Sequence, residues 1–388
     1  VYKRQVLAHL KHPIAEPFVG GLETHTHLLA RSLRDRGHDV TIFASTKSDR
    51  ALGLEAICDE TALLDVGTAE ATDVAFFREH HAYLSVMQRL RRSTFDIVHN
   101  NSLHYLPVAM ADTLPMPVVT TFHTPPFCWL ESGVRLCTSS NARFVSVSES
   151  VGRLWKHVAG RSDVVMNGID LTRFAFRPEP AHDPYLAWQG RIVPEKGLEF
   201  AIAAAQILGI KLRIAGPSLD RAYFEMAIKP HLGADVVYEG HLTHGALSEL
   251  VGGARALLVT PRWDEPYGLV VAEALACGVP VAAFDRGAMR EILTPDCGSL
   301  AKPDDAFSLS ECARRSIQLS RTAARRRAEM ACDAEIMVDG YERIYERLVD
   351  RHLEEQLVAS RPARAAKPSV LQAAIGPLAG LAPKPVAL

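Results

Sequence analysis

The sequence predicts an α/β protein built from two doubly wound domains in tandem, on three observations. The chain has 388 residues, whereas a single domain typically holds about 100–200. Short apolar runs alternate with helical patterns in the first half, which is typical of a parallel sheet with crossover helices. The same alternation restarts after the turn at residues 167–170 and a proline-rich stretch. We therefore expect domains at residues 1–175 and 176–334, with the linker near residues 172–184.

The first domain is predicted to contain five strands and three helices. Its apolar runs predict strands at residues 6–10, 40–44, 97–99, 118–122 and 144–147. Its helical patterns lie at residues 22–36, 82–92 and 149–158. A parallel sheet with helices on both faces follows from this order.

The second domain repeats the pattern. Strands are predicted at residues 186–188, 212–215, 236–238, 256–259 and 279–283, and helices at residues 198–208, 247–252 and 268–276. A long charged helix at about residues 323–357 is long enough to span both domains, and we expect its part at about 335–355 to pack on the first domain. The Ala- and Pro-rich residues 358–388 have no sustained period and suit a disordered tail.

Composition narrows the function. The formal net charge of −2 argues against nucleic acid as a partner. The seven cysteines are scattered without a Cys-x-x-Cys pair, which indicates neither a disulfide framework nor a zinc site and favours a cytoplasmic protein. A run of about 18 apolar residues is missing, so no membrane span is predicted, although peripheral contact at the inner membrane face stays open. Residues 1–5, which lack a Met, suggest a truncated start.

Two carboxylates eight positions apart, Glu265 and Glu273, frame the most informative segment. We expect a helix from about Tyr267 to the stop signal at Gly278. That helix has no polar face for Glu273, so this carboxylate should be buried and needs partners. Helical rise would separate the two acids by roughly 12 Å, enough to hold two parts of one extended ligand. Alternatively, Glu265 favours the helix dipole and Glu273 is a satisfied core residue.

Two glycine-bounded loops follow predicted first strands. Gly20 and Gly21 open a helix and can offer backbone N–H groups to an anion, although a plain tight turn would also explain them. In the other loop, Gly190 precedes Arg191 and Lys196, and the two cations form a plausible pyrophosphate clamp. A solvated surface loop is the alternative interpretation.

In this order, the motifs resemble the family 4 glycosyltransferases, which are retaining enzymes of the GT-B architecture with two Rossmann-like domains facing an interdomain cleft. The resemblance covers about residues 6 to 350. Besides the glutamate pair and the two glycine loops, it rests on Asp96–His99, Phe122–His123, Asn167–Asp170 and Ala272–Pro280.

The resemblance implies a role for each matching residue. Arg191 and Lys196 would stabilise the departing diphosphate, with Glu265 on the hydroxyls of the transferred sugar and His123 near that sugar. Donor contacts would also come from Gly20, Gly21, Gly190, Glu273, Gly268 and Leu269, with Glu273 on the ribose. The first domain would bind the acceptor and the second the nucleotide sugar.

The reaction so implied is retaining transfer of a sugar, most simply from a UDP-sugar, to a hydroxyl group of a saccharide, lipid-linked or small-molecule acceptor. Neither a metal nor a cofactor is expected. Candidate acceptor residues are His12, Glu16, Glu23, His25, His99 and His104. The competing hypotheses are a nonhydrolysing sugar-nucleotide epimerase and a non-catalytic nucleotide-sugar-binding subunit.

Overall fold

Two parallel β-sheets organise the chain in the computed structural model, which describes residues 2–58 and 69–359. In the described residues, the first sheet has the strand order β3-β2-β1-β4-β5-β6-β7. All neighbouring strands are parallel. The strands are β1 (Lys3–Ala8), β2 (Asp39–Ser45), β3 (Leu54–Cys58), β4 (Ile97–Asn101), β5 (Val118–Phe122), β6 (Ala142–Ser146) and β7 (Asp163–Val164).

The second sheet has the order β10-β9-β8-β11-β12-β13 and is also parallel throughout. Its strands are β8 (Tyr185–Gln189), β9 (Lys211–Ala215), β10 (Val236–Tyr238), β11 (Leu257–Val259), β12 (Val281–Phe284) and β13 (Gly298–Ala301). Both sheets belong to one contiguous unit that ends at His352.

Helices connect the strands. In the first half they are α1 (Gly21–Asp35), α2 (Ala69–Leu90), α3 (Tyr105–Ala109), α4 (Cys128–Leu136) and α5 (Glu149–Ala159). In the second half they are α6 (Leu198–Leu208), α7 (Arg221–Tyr223), α8 (His244–Gly253), α9 (Leu269–Ala276), α10 (Met289–Ile292), α11 (Ala306–Ser316), α12 (Arg321–Ala331) and α13 (Ala334–Ala359).

Local sequence explains where several of these elements begin. The Ser148 hydroxyl accepts a hydrogen bond from the Val151 amide at 3.1 Å and caps α5. Asp305 caps α11 in the same way through the Ser308 amide. Such caps satisfy amides that a helix start leaves without partners. Strands β4, β5 and β8 are buried along their whole length, as expected for parallel strands covered on both faces.

The C-terminal helix predicted at residues 323–357 is wrong as a single element, because the chain breaks between α12 and α13. At the break, the Ile169 amide donates to the Cys332 carbonyl at 2.8 Å, and the Ala334 amide donates to the Ile169 carbonyl at 3.0 Å. These bonds hold the chain at the break, where residues 332 and 333 lie outside both helices. The chain crosses between the two sheets twice, near Ile169 and near Asp333, and these two segments therefore lie side by side.

After the break, α13 covers the first sheet. Met337, Val338 and Tyr341 are buried in one apolar cluster with Val6 and Leu29. Arg36, at the end of α1, pairs with three carboxylates of α13, those of Glu335, Asp339 and Glu342. The helix thus belongs to the core of the first half.

Several elements escape the sequence prediction, namely β3, β7, β13 and the short helices between predicted strands. The Ala- and Pro-rich tail beyond Ala359 lies outside the described residues. Within the described ranges, none of the helices combines the length and apolar character needed to cross a bilayer.

Candidate active site

A cavity of about 830 Å³ lies at the carboxyl ends of both sheets. The loop after β1 and the loop after β8 both line it. Each of these strands lies beside the point where its sheet reverses order, between β1 and β4 and between β8 and β11. Ligands of doubly wound sheets bind in the crevice at such reversal points. The fold therefore brings two binding edges to one cavity.

Lys196 and Glu265 form an ion pair inside the cavity. The Lys196 Nζ donates to Glu265 Oε2 at 2.6 Å, and the two side chains are 21% and 13% exposed. Trp263 Nε1 donates to the same Glu265 oxygen at 3.0 Å, and the ammonium lies 5.4 Å from the Trp263 ring centre. Glu265 is therefore held in place by two side chains, one of them cationic.

The loop of residues 190–197 presents Lys196 and Arg191 from a constrained backbone. Gly197 has a φ of +60°, and a Cβ there would collide with the Thr260 backbone oxygen. The Ile192 amide donates to the Pro217 carbonyl at 2.9 Å and fixes the middle of the loop. Arg191 lines the cavity, and no carboxylate of the described residues lies within ion-pair distance of it. Its five N–H donors are available to an anion.

Glu273 lies in the second turn of α9 and faces the cavity. The Gln189 Nε2 donates to its Oε2 at 2.6 Å. Burial raises the pKa of Glu273 from 4.5 to about 7, against the lowering effect of the Gln189 bond. Because α9 begins at Leu269 rather than Tyr267, the helical-rise estimate of its distance from Glu265 does not apply. The sequence predicted that Glu273 needs partners, and Gln189 is the side-chain donor that the described residues supply.

Gly21 brings the two halves of the cavity wall together. A Cβ at Gly21 would lie 3.1 Å from the Leu269 Cδ1 atom at the start of α9, so the starts of α1 and α9 face each other closely. Gly20 precedes α1 with extended backbone. At Gly268, the φ of +93° favours glycine, and a built Cβ would lie 2.6 Å from the Met289 Cε, the terminal atom of a flexible side chain.

His123 follows β5 and lines the cavity. Its Nε2 lies 2.8 Å from Asn101 Oδ1, and its ring packs edge-on against His25 with centres 4.7 Å apart. Burial, helped by the neighbouring histidines, lowers the pKa of His123 well below its usual value. The ring is therefore neutral and can serve a ligand hydroxyl as one donor or acceptor.

The acceptor candidates divide into two groups. His12, Glu16 and Glu23 line the cavity; Glu16 pairs with Arg173 at 2.5 Å, and Glu23 pairs with His9 at 2.7 Å.

The structure does not bring His99 and His104 into this cavity. His99 is in mid-strand and bonds Tyr345 and Thr121 on either side. The His104 Nδ1 accepts from the Leu106 amide and caps α3. His25 is fully buried behind His123. Both histidines of the run at residues 99–104 thus have structural partners.

Sequence reasoning missed several residues that line the cavity, namely His9, Lys11, Gln189 and Trp263. Gln189 could have been found, because it is a polar residue that ends an apolar strand directly before Gly190. His9 and Lys11 follow β1 in the same manner. Within the described part of the chain, no group of three or more His, Cys, Asp or Glu side chains is placed to hold a metal ion.

Solved structures share this two-sheet architecture. A sucrose-phosphate synthase from Thermosynechococcus elongatus matches with a TM-score of 0.73 at 18% identity, covering 90% of this chain and 100% of its own. AviGT4, a glycosyltransferase involved in avilamycin A biosynthesis, matches with a TM-score of 0.65 at 21% identity, covering 90% and 98%. The fold and its cleft define a GT-B protein, as the motifs predicted.

Family models identify the chain more closely. The model of Glycosyltransferase Family 4 matches residues 19–173, and that of Glycosyl transferases group 1 matches residues 172–331. The chain is 28% identical to the glycogen synthase of Mycobacterium tuberculosis, over 81% of this chain and 86% of the relative. It is also 28% identical to a phosphatidyl-myo-inositol mannosyltransferase of Propionibacterium freudenreichii, over 72% and 77%. The chain belongs to the family 4 glycosyltransferases, which confirms the resemblance.

Proposed function

We propose that this glycosyltransferase moves a hexose from a UDP-sugar to an acceptor hydroxyl with retention of configuration and without a metal ion. The observation that carries the proposal is the convergence of Arg191, Lys196, Glu265 and Glu273 on one cavity at the carboxyl ends of both sheets. Cations, a held carboxylate and a neutral histidine there match the parts of a nucleotide sugar.

Each of these residues has a separate role in the proposal. Arg191 and Lys196 stabilise the negative charge that develops on the departing diphosphate. Glu265, oriented by Trp263, accepts hydrogen bonds from hydroxyls of the transferred sugar. Glu273 accepts from the ribose hydroxyls, and His123 contacts the sugar as a neutral ring. Backbone amides at the starts of α1 and α9 complete the anion site.

The family resemblance supports retention, and the partners of the carboxylates bear on how retention would be achieved. Among the described carboxylates that line the cavity, Glu16, Glu23, Asp170 and Glu265 are ion-paired, and the proposal assigns Glu273 to the ribose, so none is left to act as a nucleophile. We therefore propose attack from the same face as the leaving group. The bond from the sugar C1 to the diphosphate breaks, the acceptor oxygen bonds C1 on that face, and its proton passes to a phosphate oxygen.

A panel of nucleotide sugars tests the donor. Ligand binding to the native state raises apparent stability with concentration, so UDP-glucose and UDP-galactose should raise the melting temperature. GDP-mannose belongs in the panel because one relative is named a GDP-mannose-dependent α-mannosyltransferase. Protection by GDP-mannose alone would replace the uridine assignment.

The same panel separates transfer from its alternatives. Incubated with a nucleotide sugar and no acceptor, a transferase releases slow hydrolysis products, whereas an epimerase accumulates an isomeric nucleotide sugar. Binding without turnover of any donor would instead indicate a non-catalytic subunit. Anomeric analysis of the transferred sugar then tests retention, and activity in the presence of EDTA tests independence from metals.

The acceptor and the location are proposed in broader terms. A saccharide, a lipid-linked or a small hydroxyl compound enters on the side of the first sheet, in a cytoplasmic protein that can contact the inner membrane face. Co-sedimentation with anionic vesicles measures such contact, and absence from the pellet would argue against it.

A further inference from the structure

Five lysine and arginine side chains line the cavity within the described residues, those of Lys11, Arg31, Arg173, Arg191 and Lys196. Three of them have a carboxylate partner. Arg31 pairs with Asp170 at 2.6 Å, Arg173 with Glu16 at 2.5 Å, and Lys196 with Glu265 at 2.6 Å. In the described part of the chain, Lys11 and Arg191 have no carboxylate within ion-pair distance. The cavity therefore holds two uncompensated cations.

The two uncompensated cations come from different walls. Arg191 lies in the loop after β8, where the proposed function places the donor diphosphate. Lys11 belongs to the loop after β1 in the first half, three residues beyond the strand end at Ala8. Lys11 is exposed to solvent, so a ligand in the cavity can reach its ammonium.

The pKa of His12 reflects the charged groups near Lys11 in the cavity. Burial lowers the pKa of His12, and the positive fields of His9, Arg191 and Lys11 lower it further against the raising effect of Glu23. Glu23 itself is occupied by His9 at 2.7 Å. The His12 ring and the Lys11 side chain thus line the same part of the cavity, within reach of the charges of His9 and Arg191.

Glu79 of α2 is the remaining acid near this part of the cavity. Lys11 and His9 both lower its pKa, but burial outweighs them and raises it. No ion pair within 4.0 Å joins Glu79 to Lys11 in the described residues, so the ammonium stays open toward the cavity. An anion is the ligand that satisfies such a part of the cavity.

We propose that the acceptor carries a phosphate ester, bound by Lys11 with His12 as a neighbouring donor, so that the transferred sugar goes to a hydroxyl of a phosphorylated sugar or polyol. The inference rests on the proposed function, since it names the substrate class of the acceptor side of the same cavity. The phosphate can belong to a soluble sugar phosphate or to a phospholipid headgroup, and the recognition chemistry is the same.

Paired acceptors test the proposal in the full-length protein. With the donor found in the nucleotide-sugar panel, glucose 6-phosphate is compared with glucose, and myo-inositol 1-phosphate with myo-inositol. Phosphatidylinositol vesicles form the third arm. We expect the phosphorylated member of a pair, or the vesicles, to be preferred at least about 100-fold in kcat/KM, which corresponds to roughly 3 kcal/mol. Which arm reacts identifies the soluble or the lipid source.

Variants of Lys11 localise the effect. Lys11→Gln should raise the KM for the phosphorylated acceptor about 10- to 50-fold with a smaller change in kcat, and Lys11→Arg should recover most of the loss because it restores the charge. Lys302→Gln, an exposed lysine outside the cavity, is the matched control. Unchanged melting temperatures would exclude misfolding as the cause.

The outcomes separate this inference from the proposed function. If the wild type turns over no nucleotide sugar, the proposed function fails. If it transfers sugar equally well to neutral and phosphorylated acceptors, or if Lys11→Gln keeps the wild-type KM for the phosphorylated one, the phosphate inference is overturned while the transferase stands.

Discussion

Glu273 is a carboxyl group whose protonation depends on the fold. Its pKa is about 7 in the native protein because it is buried, compared with 4.5 in an unfolded chain. Between these values the native state holds a proton that the unfolded state has lost. Stability linked to Glu273 therefore falls as pH rises from 4.5 to 7 and stays reduced above 7.

Replacing Glu273 removes that pH dependence. Glu273→Gln should raise the free energy of unfolding by about 1–2 kcal/mol at pH 8 and change it little at pH 5, because the glutamine remains neutral throughout. Urea unfolding at both pH values measures the difference, with exposed Glu195→Gln as control. Equal effects at the two pH values would contradict the assigned pKa.

Lys196 should matter for turnover more than for folding. Lys196→Ala removes the cation that faces the departing diphosphate and should lower kcat about 10²- to 10³-fold. Its loss from a pair near the open cavity should cost about 1 kcal/mol or less. Lys211→Ala is the matched control, because Lys211 also pairs with a carboxylate, Asp183, but lies outside the cavity. Similar activity of both variants would refute the assignment of Lys196.

Local signals in the sequence were sufficient to single out residues that the fold brings into one cavity. The sequence predicted Arg191, Lys196, Glu265 and Glu273, because glycine loops and an apolar helix mark a strand-to-helix junction without reference to distant residues. His99 was different. Its partner Tyr345 is on α13, 246 residues away. The local sequence around a histidine at the end of a predicted strand does not show whether a distant helix covers it.

At the scale of elements, the start of α5 is capped from the other half of the protein. Glu291 of α10 accepts from the Glu149 and Ser150 amides at 2.7 Å each. Ser148 supplies the local cap at the same helix start. A carboxylate at this position satisfies free amides and favours the helix dipole. The contact links α5 of the first half to α10, which lies between β12 and β13 of the second sheet.

Removing this carboxylate should weaken the link. We expect Glu291→Ala to lower the free energy of unfolding by about 1–2 kcal/mol, as for loss of a helix cap. Glu311→Ala is the control, because Glu311 forms only an exposed pair with Arg314 one turn away. Chemical denaturation measures both variants. A loss for Glu291→Ala no larger than the control would show that the cap is dispensable.

The ends of an element were predictable where residues in or next to that element determine them. Strand β5 and helix α6 have the predicted bounds, at residues 118–122 and 198–208. The break between α12 and α13 was not predictable from local propensity, because residues 332 and 333 leave the helix and Asp333 pairs with Ile169. That pairing exists only in the folded protein.

At the scale of the whole molecule, the two segments at which the chain crosses between the sheets are in contact at Gly168. A Cβ there would lie 2.6 Å from the Ala334 Cα and 2.7 Å from the Asp333 carbonyl oxygen. Both are backbone atoms, which cannot move aside by a change of rotamer. The close contact requires a residue without a side chain.

Adding one methyl group at this crossing should therefore destabilise the protein. Gly168→Ala should cost about 1–3 kcal/mol through overpacking. Gly245→Ala, where a Cβ would meet nothing within 4 Å, should be neutral or slightly stabilising because it lies in α8. Thermal unfolding of the two variants provides the comparison, and a neutral Gly168→Ala would mean that the crossing can separate.

The ion pair between Lys196 and Glu265 makes the proposed donor binding an exchange rather than a simple addition. Before ligand arrives, each side chain already serves as the counter-ion of the other. When the diphosphate of the donor binds the Lys196 ammonium, the Glu265 carboxylate becomes free to accept hydrogen bonds from the sugar hydroxyls. The diphosphate and the sugar of the donor thus replace the internal ion pair. The loss of the ion pair offsets much of the free energy gained from these contacts. Added salt should therefore weaken donor binding by the amount expected for one unpaired cation, Arg191, rather than for two.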